Sequence, residues 1–156
     1  MRPGDAPPLA LVIDDDLGAG GVAGKLLQRF GYRIAIVPDG HLGLAFVERD
    51  GAMLALVVTD INMPGISGND VAAVLRYYRP DLPVVACTGD RASLALPPAV
   101  PALIKPFTSD ELRAAIVRAQ AMVALAPEPD GAADGWMALA RAGALCEAAV
   151  ALQRSR

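Results

Sequence analysis

Leu54-Ala55-Leu56-Val57-Val58-Thr59, then Asp60, then Ile61-Asn62-Met63-Pro64-Gly65, is the stretch that decides the fold. Six residues in a row without a hydrophobic-polar alternation suit a strand covered on both faces, as in a parallel sheet packed between helices. The Pro64-Gly65 pair signals a turn, so Asp60 stands at the mouth of this strand. Shorter apolar runs recur at Leu9–Ile13, 34–37, Val84–Thr88 and Ala102–Ile104, with helical patterns between most of them. This rhythm predicts βα repeated five times, with residues 54–59 as the central strand.

Ligands of an open parallel sheet bind beyond the carboxyl ends of its strands. Three more strand ends carry chemistry here. Asp14-Asp15-Asp16 follows Leu11-Val12-Ile13, Thr88 follows Val84-Val85-Ala86-Cys87, and Lys105-Pro106 follows Ala102-Leu103-Ile104. Folding would therefore gather Asp14, Asp15, Asp60, Thr88 and Lys105 in one pocket. Close carboxylates repel one another, and a divalent cation relieves the repulsion. Mg²⁺ suits the donors, because it takes oxygen ligands, keeps several waters and is commonly shared between one or two carboxylates and a phosphate. A carboxylate is also a competent nucleophile toward phosphorus. Lys105 would neutralise one phosphoryl oxygen and Thr88 donate a hydrogen bond to another.

The intervening helices differ in quality. The first, over about 19–30, has Gly20, Gly21 and Gly24 in its opening turns, each unfavourable by up to about 1 kcal/mol against Ala. The third, about 67–78, spaces Val71, Val74, Leu75 and Tyr78 helically and stops at Arg79-Pro80. The last begins with Thr108-Ser109-Asp110-Glu111, a capping box, and lines Leu112, Ala115, Ile116, Ala119 and Val123 on one face. Only residues 89–101 are left for a fourth helix and its loops, and Pro97-Pro98 interrupts them, so that helix shrinks to a turn or two.

The motifs Val12-Ile13-Asp14-Asp15, Thr59-Asp60-Ile61-Asn62-Met63-Pro64-Gly65, Cys87-Thr88-Gly89 and Lys105-Pro106-Phe107 resemble the receiver domain of two-component response regulators, over about residues 9–125. The resemblance implies an α/β flavodoxin-like three-layer sandwich whose five-stranded parallel sheet has the order 2-1-3-4-5, here with a shortened fourth helix and an extra C-terminal helix. It implies Asp60 as phosphoacceptor, served by a sensor histidine kinase or a histidine phosphotransfer protein. Mg²⁺ would be held by Asp15 directly, Asp14 largely through water, Asp60, and the backbone carbonyl of Asn62. Lys105 would bridge to the phosphoryl group, with a cis Lys105–Pro106 bond, and Gly89 would leave Thr88 room to approach. Such a receiver catalyses only its own phosphorylation and dephosphorylation and acts on no separate metabolite. The sequence departs from the family three residues before the lysine, where an aromatic side chain usually couples to the threonine. Ala102 stands there and cannot swing. The expectation is retained phosphorylation chemistry with an altered output relay.

Other readings compete with this one. Asp14-Asp15-Asp16 also mimics the nucleophile motif of haloacid-dehalogenase-type phosphatases, but Gly18 stands where those enzymes usually carry Thr or Val, and no later acidic pair is evident. A phosphorylation-independent pseudo-receiver that serves as an interaction or dimerisation module is a further alternative. The glycines at 18–24 superficially resemble a dinucleotide loop, although three aspartates before them would repel a pyrophosphate. His41 has no base or metal partner nearby in sequence and fits an exposed surface role.

Composition bounds the rest. A chain of 156 residues, 54% hydrophobic, buries a real core, and no uninterrupted apolar run is long enough to span a bilayer. No secretion signal is evident, which points to the cytoplasm. The net charge of −3 without a Lys/Arg cluster disfavours nucleic-acid binding. Cys87 and Cys146 lack neighbours at metal-ligand spacing and read as structural thiols. Residues 1–125 read as the receiver, 126–135 as a linker and 136–156 as a helical extension. Within the extension Trp136, Leu139, Gly143, Cys146 and Val150 form a seam suited to packing against the receiver or a second copy, giving a possible homodimer. With no recognisable output domain following, signalling would run through contacts with a downstream protein target.

Overall fold

The computed structural model describes residues 4–125 and 144–155. Five strands form one sheet: β1 (Leu9–Ile13), β2 (Arg33–Val37), β3 (Leu54–Asp60), β4 (Val84–Thr88) and β5 (Ala102–Ile104). Their order is β2-β1-β3-β4-β5 and every pairing is parallel, so the apolar run that opened the reading is the middle strand. Between and after them come α1 (Leu17–Arg29), α2 (Gly40–Asp50), α3 (Gly68–Tyr78), α4 (Ser109–Ala124) and α5 (Ala144–Arg154).

Strand pleating sends alternate residues to opposite faces. Leu11, Ile13, Val57, Val84 and Ala86 join one buried cluster with residues of α2, α3 and α5. Ala10, Val12, Leu56, Val58, Val85 and Cys87 join the other, with residues of α1 and α4. The thiol of Cys87 is thus core material, and burial pushes its pKa up to about 12. Burying both faces explains why these strands show no alternation in sequence.

Local signals set the helix ends. Ser67 caps α3 by accepting from the Asp70 amide, and Thr108 and Glu111 complete the capping box of α4. Despite its glycines, α1 begins two residues earlier than expected. Its Gly24 lies so close to β2 that a Cβ there would come within 2.8 Å of Ile34 Cδ1. Close packing of α1 on the sheet is one reason for glycine in this helix.

The fourth helix is reduced to a single 3₁₀ turn, Arg91–Ser93, after which the chain runs without helix to β5. Leu94, Leu96 and Val100 pack from this stretch onto the core. Ala99 between them has φ of 73°, a left-handed conformation that an L-residue with a Cβ adopts at a penalty of about 1–2 kcal/mol.

In the C-terminal extension, Leu145 and Ala149 are fully buried against the α2–α3 side of the receiver. The Leu145 amide donates to Glu48 Oε1 of α2, and Cys146 Sγ donates to the His41 carbonyl. This corrects the seam read from sequence. Cys146 and Val150 are only half-buried, while Leu145 and Ala149 sit one residue earlier, about 100° around the helix. A heptad seam suits a single partner helix, whereas α5 contacts both α2 and α3. Trp136, Leu139 and Gly143, with the linker 126–135, lie outside the described residues.

Candidate functional site

At the carboxyl edge of the sheet, β1 delivers Asp14 and Asp15, β3 delivers Asp60 and β5 delivers Lys105. Register makes this possible: Ile13 of β1 pairs with Thr59 of β3, so the residues that follow each emerge side by side. One oxygen from each of Asp14, Asp15 and Asp60 lies within 4.8 Å of the others. Asp14 and Asp60 are buried and Asp15 is exposed, leaving the cluster open on one side.

Lys105 reaches into this cluster. Its Nζ donates to Asp14 Oδ2 at 3.0 Å and stands 3.4 Å from Asp60 Oδ1. The Lys105–Pro106 bond is cis. Burial raises the Asp60 pKa above 3.8; Lys105 opposes that rise and the charge of Asp14 adds to it. For Lys105, burial alone would lower the pKa, but the hydrogen bond to Asp14 and the charges of Asp60 and Asp14 outweigh it, and the net shift is upward. Three carboxylates against one ammonium leave negative charge in excess, which suits a divalent cation ligated by oxygen. Among the described residues this is the one such acidic cluster.

Thr88 ends β4 with its side chain buried. Its hydroxyl donates to the Asp90 carbonyl at 3.1 Å and accepts from Asn62 Nδ2 at 3.0 Å and the Asp90 amide at 3.1 Å. Thr88 is thus tied to Asn62, and neither side chain bonds the carboxylates in the hydrogen bonds described. Asp16, third of the aspartate run, accepts from the Gly18 amide at 2.9 Å and caps the start of α1. His41 is exposed, as its lack of sequence partners suggested.

Two contributors escape a reading by motif. Gly68, first residue of α3, lies against the backbone of β3, where an added Cβ would overlap the Asp60 carbonyl oxygen. Asn69, buried beside it, donates to the Ser93 carbonyl at 2.8 Å and accepts from the Ala95 amide at 3.1 Å. A glycine-asparagine pair after a serine cap carries the helix-start signal and nothing that marks these longer-range contacts.

The family model for the response regulator receiver domain matches residues 10–117. The chain belongs to the response regulator receiver family. Receivers of this kind serve two-component signalling, and the match leaves the phosphatase reading of Asp14-Asp15-Asp16 without support. Among relatives, the response regulator protein FleR of Pseudomonas aeruginosa is 30% identical over 151 residues, covering 93% of this chain and 31% of FleR. The transcriptional regulatory protein ZraR of Klebsiella oxytoca is 32% identical over 124 residues, covering 76% of this chain and 28% of ZraR. The receiver therefore spans less than a third of either relative. Among solved structures, a response regulator receiver domain protein from Clostridium thermocellum superposes with a TM-score of 0.66 at 28% identity, over 76% of this chain and 98% of that one. TrrA of Thermotoga maritima, solved with Mg²⁺ and BeF, superposes with a TM-score of 0.60 at 26% identity, over 72% and 98%. No helix among the described residues is long and apolar enough to cross a membrane.

Proposed function

We propose that this receiver accepts a phosphoryl group on Asp60, in a reaction that depends on Mg²⁺. The observation that carries the reading is the meeting of Asp60, Asp14, Asp15 and Lys105 at one edge of the sheet. Asp14, Asp15, Asp60 and the Asn62 carbonyl are the ligands we assign to Mg²⁺, which when bound supplies positive charge to the transferring group and offsets the crowded carboxylates. The residues of the chain do the remaining work. Asp60 offers a carboxylate oxygen to phosphorus and takes the phosphoryl group as an acyl phosphate. Lys105, held next to Asp60 by Asp14, brings an ammonium to the charge that accumulates on the phosphoryl oxygens. Thr88, whose hydroxyl proton goes to the Asp90 carbonyl in this structure, would turn to donate it to one of them. Phosphoryl transfer needs little beyond such positioning and electrostatic stabilisation, so the same residues serve both gain and loss of the group. On this reading the chain is a phosphoacceptor and turns over no separate substrate.

The donor would be a phosphohistidine on a sensor kinase or a phosphotransfer protein, and the output a contact with a downstream protein target in the cytoplasm. Residues 1–125 would carry the chemistry, 126–135 would link and 136–156 would extend the contact surface, with a homodimer through the extension as one use of it. TrrA, related in sequence and captured with Mg²⁺ and BeF, supports assigning the same cation here.

Intact-mass measurement after incubation with Mg²⁺ and a small acyl phosphate tests the proposal. The expected result is a gain of one phosphoryl group that is absent in Asp60→Asn and absent when Mg²⁺ is chelated. No gain in the unaltered protein would favour a pseudo-receiver that binds partners unmodified.

A further inference from the structure

Helix α5 has one face on the receiver and an opposite face turned outward. Leu145 and Ala149 mark the buried side. At about 100° per residue, Glu147, Val150, Ala151 and Arg154 fall on the other side of the helix, and Glu147, Ala151 and Arg154 are exposed. This outer strip has an apolar centre, a carboxylate at one end and a guanidinium at the other. Seven positions along a helix separate Glu147 from Arg154 by about 10 Å, and side chains that meet on one helix are three or four apart. The two therefore do not satisfy each other, and among the described residues neither makes an ion pair. Together with His41 of α2, the strip lines an open cleft of about 670 Å³ alongside α5.

We propose that this strip is a self-association surface whose occupant is the same strip of a second copy, laid antiparallel. Glu147 stands three positions before Val150 and Arg154 three positions after Ala151. A two-fold axis passing between Val150 and Ala151 therefore sets Glu147 against Arg154 of the second copy, and Arg154 against Glu147 of the second copy. Both ion pairs form at once, which is the isologous arrangement that closes a dimer. A parallel alignment would oppose like charges, and that is unfavourable. The small side chains of Val150 and Ala151 at the axis let two helices approach closely, and antiparallel packing sets the two helix dipoles against each other favourably. A foreign helix would have to carry the matching pattern, whereas a second copy supplies it by symmetry. Burial of Leu145 and Ala149 and the bond from the Leu145 amide to Glu48 already hold α5 on its own receiver, so pairing need not order the helix first. Eleven residues make a helix about 16 Å long, so the contact belongs with small interfaces and the dimer is weak and concentration-dependent. The inference rests on the reading of the extension as a contact surface, and Asp60 plays no part in it.

Sedimentation velocity of the full chain over a concentration series tests this. The expected result is a monomer–dimer equilibrium that added salt displaces toward monomer. Glu147→Arg and Arg154→Glu each place two like-charged pairs across the axis, and each is expected to raise the dimer dissociation constant about tenfold or more. The double variant E147R/R154E restores opposite charges with the ends exchanged, and is expected to return to within about threefold of the unaltered protein. Both positions are exposed, so melting temperatures of the four proteins at low concentration should agree. A monomer at every concentration up to about 1 mM would overturn the proposal, and with it the homodimer through the extension. A dimer indifferent to both single reversals, or a double variant as weak as the single ones, would overturn this pairing while leaving some other homodimer standing. Phosphoryl uptake at Asp60, read by intact mass on the same samples, is expected in all four proteins, so a failure of the phosphoacceptor assignment shows separately.

Discussion

The acidic pocket and the β4–β5 connection meet at Thr88, yet they are held together by different means. In the pocket, charged side chains from three strands hold one another: Lys105 bonds Asp14 and faces Asp60. In the connection, single side chains hold backbone groups, with Asn69 bridging Ser93 and Ala95 and the Asp90 carboxylate closing the 3₁₀ turn. The pocket therefore rests on charge, and the connection on satisfaction of backbone carbonyls and amides.

Perturbing each region separately sharpens the contrast. The largest effect on stability is expected from Gly68→Ala, where a methyl group meets the Asp60 backbone and nothing flexible can yield; denaturant unfolding should register a loss of about 2–3 kcal/mol. In the connection, Asn69→Ala leaves the part-buried Ser93 carbonyl and Ala95 amide without that partner, for a smaller loss of about 1 kcal/mol by the same measurement. A loss for Asn69→Ala larger than that for Gly68→Ala would reverse the ranking of the two regions.

The third test uses pH without added metal. Burial, with Asp14 adding to it, holds the Asp60 pKa above 3.8 despite Lys105, so the folded protein binds this proton more tightly than the unfolded chain does. The contribution of Asp60 to stability therefore rises as pH falls from above its folded pKa toward 3.8, and its ionised form is a destabilising one at neutral pH. Asp60→Asn should accordingly raise the melting temperature near pH 7 in chelator. The difference between the two proteins should shrink on acidification and when Mg²⁺ is added. A lower melting temperature for Asp60→Asn in chelator would mean that the attraction of Lys105 outweighs burial. The smallest effect belongs to Ala99→Gly, which removes left-handed strain but loosens the unfolded chain, for a net gain of about 0.5 kcal/mol.

The two regions also differed in how far they could be read from sequence. Strands with both faces buried leave unbroken apolar runs, and β3 announced itself and its terminal Asp60 directly. Asp14, Asp15 and Lys105 were legible because strand ends converge in a parallel sheet, so spacing along the chain becomes proximity in space. Pro97-Pro98 revealed that a helix would fail between β4 and β5. What replaced the helix was hidden, because Asn69 bonds backbone groups 24 and 26 residues away and its type is ordinary at a helix start. The buried face of α5 was misjudged for a related reason: apolar residues in an Ala-rich helix lie all around it, and the shape of the α2–α3 surface selects Leu145 and Ala149.

Borohydride reduction of the phosphorylated protein, followed by peptide mass analysis, tests the central claim most directly, since it converts an aspartyl phosphate to homoserine at the residue that carried it. The account predicts homoserine at position 60 and nowhere else, and only in samples that contained Mg²⁺ and the phosphodonor. Homoserine at Asp14 or Asp15, or none at all, would contradict it.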